Sequence, residues 1–240
     1  MGSGRDGWLD RARIVWDERA PAWDEMAEAH AAARDRPADV RRVVEALRLR
    51  PGAALLDAGC GTGQWAVAFA AMGCRVTGVD LAPEMIDRAR RHAAEQGVEV
   101  TWREGDLTRL PDPDAVYDAV HARVSLQFVP EPAAALGEFR RVLAPGGRLY
   151  ASVPGALSPI YGNGWRRFLE PVATNHIVPW ELEALLTELG WAIVDGWGGY
   201  GAILGGETNP FGAEEMAGLD RRLQQAAATT WGIVAERARG

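Results

Sequence analysis

Three glycines that are suited to contact a ligand stand in one short segment, at Gly59, Gly61 and Gly63, just after Asp57. Glycine tolerates positive φ and lets a ligand approach the backbone closely. A predicted helix begins directly after this segment, and the free amides at a helix start favour a carboxylate or a phosphate. The apolar run that precedes the segment is typical of a buried strand. The spacing therefore predicts a ligand-binding loop at the carboxyl end of a strand.

A second acidic residue, Asp80, ends the next predicted strand. An acid in that place can accept hydrogen bonds from both hydroxyls of a ribose. Together with the glycine loop, it predicts an adenosine-containing cofactor in the cleft beyond the strand ends. A dinucleotide fingerprint would have a glycine where Gln64 stands, which argues against a nicotinamide oxidoreductase but leaves it as an alternative. Asp80 can also cap the helix that is predicted to begin at Pro83.

At these residues the sequence resembles the class I S-adenosylmethionine-dependent methyltransferases. Five segments carry the resemblance in the order that the family has: 55–63, 76–90, 103–111, 117–132 and 138–153. The first contains the glycine loop and the second contains the acid that would hold the ribose. The resemblance covers residues 40–153 well and the rest of the chain only by the order of its strands. Any one of these motifs alone would be weak, whereas five in register are specific.

The resemblance implies a set of cofactor-binding residues, because this family uses S-adenosylmethionine and releases S-adenosylhomocysteine. The set is Trp23, Asp57, Gly59, Gly61, Gly63, Asp80, Leu81, Asp106, Leu107, His121 and Ala122. Asp57 would face the amino group of the cofactor, Asp80 would hold its ribose and Asp106 would accept from the adenine amine. The three glycines would line the methionine portion.

The other members of the set would surround the adenine and the sulfonium. Leu81 would pack on adenine, and the Leu107 amide would lie beside the adenine amine. His121 and Ala122, at the tip of the fourth predicted strand, would lie near the sulfonium. Trp23 belongs to a segment that resembles the leading helix that many small-molecule methyltransferases fold over the cofactor. Its ring would either close the site or only pack on that helix.

Two histidines are candidates for a catalytic base. An oxygen acceptor often needs a base to take its proton, whereas an amine needs only its neutral form. His121 is the candidate nearest to the tip of the fourth predicted strand, where the sulfonium would lie. His176 lies in a long irregular stretch over residues 154–179. Each could instead be a packing or surface histidine. No cluster has the spacing of metal ligands, so we expect no metal.

The composition excludes several classes of function. All 26 basic residues are arginine, which excludes a Schiff-base lysine and a P-loop lysine. The net charge of −7 argues against a nucleic-acid partner. No apolar run is long enough for a transmembrane helix. Cys60 and Cys74 lack metal or redox spacing, which indicates buried thiols in a reducing cytoplasm. We expect a cytoplasmic monomer or homodimer with a small-molecule acceptor, no nucleic acid and no membrane.

Strands and helices alternate along most of the chain, which is typical of an α/β fold with helices on both faces of a mostly parallel sheet. The resemblance implies a Rossmann-like sheet of seven strands, the last one antiparallel, and an N-terminal helical lid. We expect a single methyltransferase domain over 1–240. It would comprise a helical lid (1–50), a cofactor-binding core (51–153) and a region with the substrate cap insertion and the C-terminal strands (154–240). One helix is predicted over 212–227.

The predicted function is transfer of a methyl group from S-adenosylmethionine to an oxygen, nitrogen or carbon of a small molecule. This reaction comes from the resemblance and not from the pattern of residues. Two alternatives stay open besides the oxidoreductase. One is a methyltransferase that acts on protein or RNA. The other is a non-methylating enzyme that uses bound S-adenosylmethionine as an electrostatic or structural element.

Overall fold

The computed structural model describes residues 4–33, 36–158, 161, 169, 173–200 and 212–238. Within these ranges seven strands form one sheet: β1 (Ala54–Ala58), β2 (Arg75–Asp80), β3 (Thr101–Glu104), β4 (Tyr117–Arg123), β5 (Leu143–Pro154), β6 (Trp191–Gly199) and β7 (Thr230–Arg237). Their order across the sheet is β3-β2-β1-β4-β5-β7-β6. The strands β1 to β5 pair in parallel, whereas β7 is antiparallel to both β5 and β6. The predicted Rossmann-like sheet, mostly parallel with an antiparallel last strand, is confirmed.

Eight α-helices in the described ranges pack around the sheet: α1 (Arg5–Ala33), α2 (Arg36–Ala46), α3 (Gln64–Ala71), α4 (Pro83–Glu95), α5 (Pro132–Val142), α6 (Pro179–Glu188), α7 (Ala213–Met216) and α8 (Arg221–Ala227). A proline begins α4, α5 and α6, at the helix position where its missing amide hydrogen costs least. The single helix predicted over 212–227 is wrong. Asp220 interrupts it, because its side chain accepts from the Arg222 amide at 2.8 Å and caps a new helix.

The two faces of the sheet bury separate groups of apolar side chains. Successive residues of a strand point to opposite faces, so Leu56 packs with α5 and α6 while Leu55 packs with α2 and α3. Phe139 fills the first group and Phe69 fills the second, and neither is exposed to solvent. The same alternation places Asp57 on the α3 side of β1, next to its partner His121 on β4.

Helix α1 lies along the carboxyl edge of the sheet and is tied to it by polar contacts. The indole nitrogen of Trp8 donates to the carbonyl of Phe128 at 3.1 Å. Asp24 forms an ion pair with Arg88 of α4 at 3.2 Å. These contacts hold α1 over the ends of the strands, where the predicted cofactor site is. Of the helices in the described ranges, α1 included, none combines the length and the apolar character needed to cross a membrane.

Candidate active site

A cavity of about 210 Å³, the main cavity, lies at the carboxyl ends of β1, β2 and β4. In an open parallel sheet, ligands bind beyond the strand ends where the chain connections diverge to either side. The strand β1 stands between β2 and β4, so the main cavity occupies that position. Nine residues of the predicted set line it: Trp23, Asp57, Gly59, Gly61, Asp80, Leu81, Asp106, Leu107 and His121.

The glycine loop is the floor of the main cavity. Gly59 has a φ of 74°, and a Cβ there would lie 2.4 Å from the Cβ of Ser125, so no side chain fits. A Cβ on Gly61 would have the Trp23 indole nitrogen at 3.7 Å as its nearest neighbour. The loop is therefore pressed against the end of β4 on one side and covered by α1 on the other.

Asp57 and His121 form a buried pair in the wall of the main cavity. The Nδ1 of His121 lies 2.8 Å from Oδ1 of Asp57. The imidazole ring stacks between Trp65 and Tyr150, with centroid distances of 5.0 and 5.3 Å. Within the described part of the chain, Oδ2 of Asp57 and Nε2 of His121 are buried without a hydrogen-bond partner. Buried polar atoms are almost always paired, so these two atoms indicate a polar partner that the described part of the chain does not supply.

Asp80 holds the glycine loop against the end of β2. Its Oδ2 accepts from the Gly61 amide at 2.9 Å and its Oδ1 accepts from the Ala82 amide at 3.0 Å. Burial raises the pKa of Asp80, and the hydrogen bonds from Ala82 and Gly61 only partly oppose that shift. A carboxylate has about four lone-pair positions, so the side chain can still accept from ribose hydroxyls.

Asp106 is already engaged by the protein at both of its oxygens. Its Oδ1 accepts from the Thr108 amide at 2.9 Å, and its Oδ2 forms an ion pair with Arg5 at the start of α1. Arg5 also pairs with Glu131 at 3.0 Å. An adenine amine at Asp106 would therefore share the carboxylate with α1. The sequence did not predict this contact, because Arg5 is remote in the chain from every predicted motif.

Three predicted residues lie outside the wall of the main cavity as the described residues form it. A Cβ on Gly63 would lie 2.7 Å from the Cβ of Ala89 and 2.6 Å from Trp102, so this glycine lets the loop pack against α4 and β3. Ala122 is fully buried on the α5 side of β4, because it follows His121 and points the opposite way. The ring of His176 lies 5.1 Å from that of Tyr161. A catalytic role for His176 stays a prediction.

Comparison with known proteins identifies the family. A family model described as a methyltransferase domain matches residues 55–147. Over 167 residues the chain is 36% identical to a protein of Xanthomonas axonopodis pv. citri (strain 306) named ubiquinone biosynthesis O-methyltransferase, a match that covers 65% of this chain and 70% of that protein. The chain belongs to the class I S-adenosylmethionine-dependent methyltransferases. A protein of the same name from Xylella fastidiosa (strain 9a5c) is 42% identical over 102 residues, and the match spans only 42% of either chain.

Solved structures share the fold of this methyltransferase. The [4+2]-cyclase SpnF superposes with a TM-score of 0.63 at 28% identity, covering 84% of this chain and 80% of that one. A geranyl diphosphate methyltransferase in complex with GPP and sinefungin superposes with a TM-score of 0.68 at 22% identity, covering 96% of this chain and 100% of that one. The second likeness concerns the fold alone.

The charge of the main cavity fits the cofactor of a methyltransferase. The carboxylates in its wall are Asp39, Asp57, Asp80 and Asp106. Among the described wall residues only Arg123 carries a fixed positive charge. S-adenosylmethionine has a sulfonium and an ammonium group, and its ammonium can donate to the buried Oδ2 of Asp57. Leu81 and Met85 add the apolar surface that adenine needs.

Several residues in the wall of this methyltransferase were missed from the sequence. Ser125 presses on Gly59, and its hydroxyl is buried without a partner in the described part of the chain. It lies in the same fourth-strand segment as His121, so a closer inspection of that segment would have found it. Trp65 and Thr230 also line the cavity. Thr230 belongs to β7, and no local motif indicates that β7 reaches the site.

Proposed function

We propose that this methyltransferase moves a methyl group from S-adenosylmethionine to a hydroxyl oxygen of a small-molecule acceptor and leaves S-adenosylhomocysteine. The proposed acceptor atom is supported by the curated relatives, which are named O-methyltransferases. The proposed division of the chain is a lid (1–50), a cofactor core (51–153) and a cap with the C-terminal strands (154–240). Leu9, Trp16 and Trp23 of α1 support the lid, since all three line the main cavity.

The observation that carries the proposed chemistry is the buried pair of Asp57 and His121. A carboxylate can only accept, so the hydrogen bond at Oδ1 of Asp57 requires the proton to be on Nδ1 of His121. In the neutral imidazole, a proton on Nδ1 leaves a lone pair on Nε2, the atom that has no partner in the described part of the chain. The pair therefore has the arrangement of a carboxylate-oriented general base.

Each member of the pair has a distinct task in the proposed reaction. When bound, S-adenosylmethionine supplies a methyl group on a positively charged sulfur. His121 takes the hydroxyl proton of the acceptor at Nε2, and Asp57 stabilises the imidazolium through Nδ1. The second oxygen of Asp57 remains free to receive the ammonium group of the cofactor. Helix α1, through Trp16 and Trp23, excludes water from the reacting groups.

The test is to supply S-adenosylmethionine and a panel of phenols and catechols, and to measure S-adenosylhomocysteine and methylated product by mass spectrometry. With a responsive acceptor, His121→Gln should lower kcat by about 100-fold or more, the usual contribution of a general base. The affinity for S-adenosylhomocysteine should change far less. His176→Gln serves as the comparison variant and should keep a rate close to that of the native chain. The reverse pattern would make His176 the base.

A non-methylating reaction is the second candidate, because a [4+2]-cyclase at 28% identity shares this fold. The same assay separates the two functions. Methyl transfer consumes one S-adenosylmethionine for each product molecule. A product that forms while S-adenosylmethionine is recovered unchanged would replace methyl transfer with a reaction that uses the cofactor only for its charge or its shape.

A further inference from the structure

A second cavity of about 80 Å³, the side cavity, adjoins the main cavity. The two share four wall residues, namely Asp39, Trp65, Arg123 and Thr230. From these shared residues the side cavity extends toward Arg42 of α2, and toward Tyr150 of β5 and Trp197 of β6. A ligand in one cavity is therefore in reach of a ligand in the other.

Two arginines of the side cavity are stacked on aromatic rings. The Cζ of Arg42 lies 4.3 Å from the ring centroid of Trp197, and the Cζ of Arg123 lies 5.4 Å from that of Trp65. A guanidinium that rests on a ring face keeps its N–H groups directed outward in its own plane, where they can donate to a carboxylate. Stacking also fixes the position of each guanidinium before a ligand arrives.

The charges of the two cavities are opposite in sign. Among the described residues that line the side cavity, Arg42 and Arg123 oppose the single carboxylate of Asp39. Tyr150 adds a neutral hydroxyl, because burial raises its pKa. The main cavity has four carboxylates against Arg123. An anionic group is therefore favoured in the side cavity, and a cationic group is favoured in the main cavity.

We propose that the side cavity binds an anionic group, a carboxylate or a phosphate, of the methyl acceptor through Arg42 and Arg123. This proposal rests on the proposed function. Its geometry follows from His121, whose ring stacks between Trp65 and Tyr150, two walls of the side cavity. An acceptor anchored at the two arginines would extend past Trp65 and Arg123, which both cavities share, toward the main cavity, where His121 lies in the wall. The acceptor class is a flat, hydroxylated anion of small size.

The test measures binding without requiring turnover. Benzoate and its neutral analogue benzamide are titrated by calorimetry into the protein saturated with S-adenosylhomocysteine. Benzoate should bind about ten- to a hundredfold more tightly than benzamide, the usual effect of a charge-assisted hydrogen bond. Arg42→Gln and Arg123→Gln should each remove that preference. Equal binding of both probes, or no benzoate binding at millimolar concentration, overturns the proposal.

Arg222→Gln is the matched control, because Arg222 lies 5.3 Å from the ring centroid of Trp180, outside both cavities as the described residues form them. It should leave benzoate binding unchanged. Arg42 is exposed on α2, so its loss should not disturb folding even where Arg123→Gln does. A benzoate preference that survives Arg42→Gln in a folded protein also contradicts the proposal.

The two arginines could instead bind the carboxylate of the cofactor's own amino-acid portion. A second titration therefore compares S-adenosylhomocysteine with 5′-methylthioadenosine, which lacks the amino-acid portion. If Arg42→Gln and Arg123→Gln weaken only S-adenosylhomocysteine, the arginines hold the cofactor and the acceptor assignment is wrong. Benzoate binding without methyl transfer to any hydroxylated benzoate or to any member of the phenol and catechol panel would keep the anion site and reject the proposed function, so the two failures are distinguishable.

Discussion

The main cavity and the side cavity of this methyltransferase differ in charge and in how the chain builds them. The main cavity is acidic, and much of its wall comes from the last residues of strands, such as Asp80 and Arg123, and from the short segments that follow strands, such as Gly59. The side cavity is basic and aromatic, and it joins α2, α3 and four strands. In the proposed function, cofactor binding belongs to the main cavity and recognition of the acceptor's anionic group belongs to the side cavity.

The largest expected effect is confined to the main cavity. Asp80→Ala should weaken S-adenosylhomocysteine about 100-fold or more, because it removes the acceptor for the ribose and the partner of the Gly61 and Ala82 amides. Calorimetry measures this, with Asp87→Ala as the control on an exposed face of α4. Benzoate binding should be unchanged. An unaltered cofactor affinity would remove Asp80 from the ribose site.

A smaller loss of cofactor affinity is expected when an aromatic residue of the lid is removed. Trp23→Ala should weaken S-adenosylhomocysteine about tenfold, because it strips an aromatic cover from the glycine loop at Gly61. Trp180→Ala is the control, since this indole is outside the wall of both cavities as described. The measured dissociation rate should rise in the first variant only. Equal rates in both variants would show that Trp23 only packs on α1.

Binding of S-adenosylhomocysteine in the main cavity should also depend on pH. Ribose donates to the ionised carboxylate of Asp80, whose pKa is raised by burial. Affinity for S-adenosylhomocysteine should be full above that raised pKa and fall severalfold as the pH is lowered through it, at a higher pH than an ordinary aspartate would give. Titrations across a pH series measure this, and Asp80→Asn should lack the dependence. A flat profile in the native chain contradicts the ribose assignment.

The smallest change in binding affinity is expected from added salt. Arg42 is exposed, so added salt should weaken benzoate binding in the side cavity only about two- to fivefold between low salt and roughly 0.5 M. Cofactor binding should change less, because Asp57 and its partner His121 are almost completely buried. Calorimetry at several concentrations of a non-binding salt gives both slopes. A steeper slope for the cofactor would contradict the prediction that the exposed charge of Arg42 is screened more than the buried pair of Asp57 and His121.

The parts of the fold that the sequence predicted are those governed by neighbouring residues. The strands β1 and β2, which contain Asp57 and Asp80, and the helix that begins at Pro83 follow from apolar runs, glycine and proline. The prediction failed over 212–227, where the local cap at Asp220 divides one helical pattern into two helices. A pattern of period 3.6 does not reveal a side chain that bonds the backbone within the same segment.

In the candidate site too, the local sequence did not predict what each single residue contacts. Gly59 and Gly61 lie in the cavity wall as the family motif implies, whereas Gly63 packs on α4. All three have positive φ, so their local requirement is the same. Only the neighbours that the fold brings to each glycine distinguish them. The ion pair of Arg5 with Asp106 could not be predicted either, because the two residues are far apart in the sequence.

The sequence by itself determined the family, the sheet and the edge of the sheet at which the main cavity lies, because the glycine loop and its acids act over a few residues. Among the described residues, tertiary structure alone decided which buried polar atoms lack a partner, and it placed His121 in the wall of the main cavity and His176 outside it. It also placed Arg42 and Trp197 together from distant parts of the chain. Charge and stacking depend on distance in space, and the spacing of residues along the chain does not encode that distance.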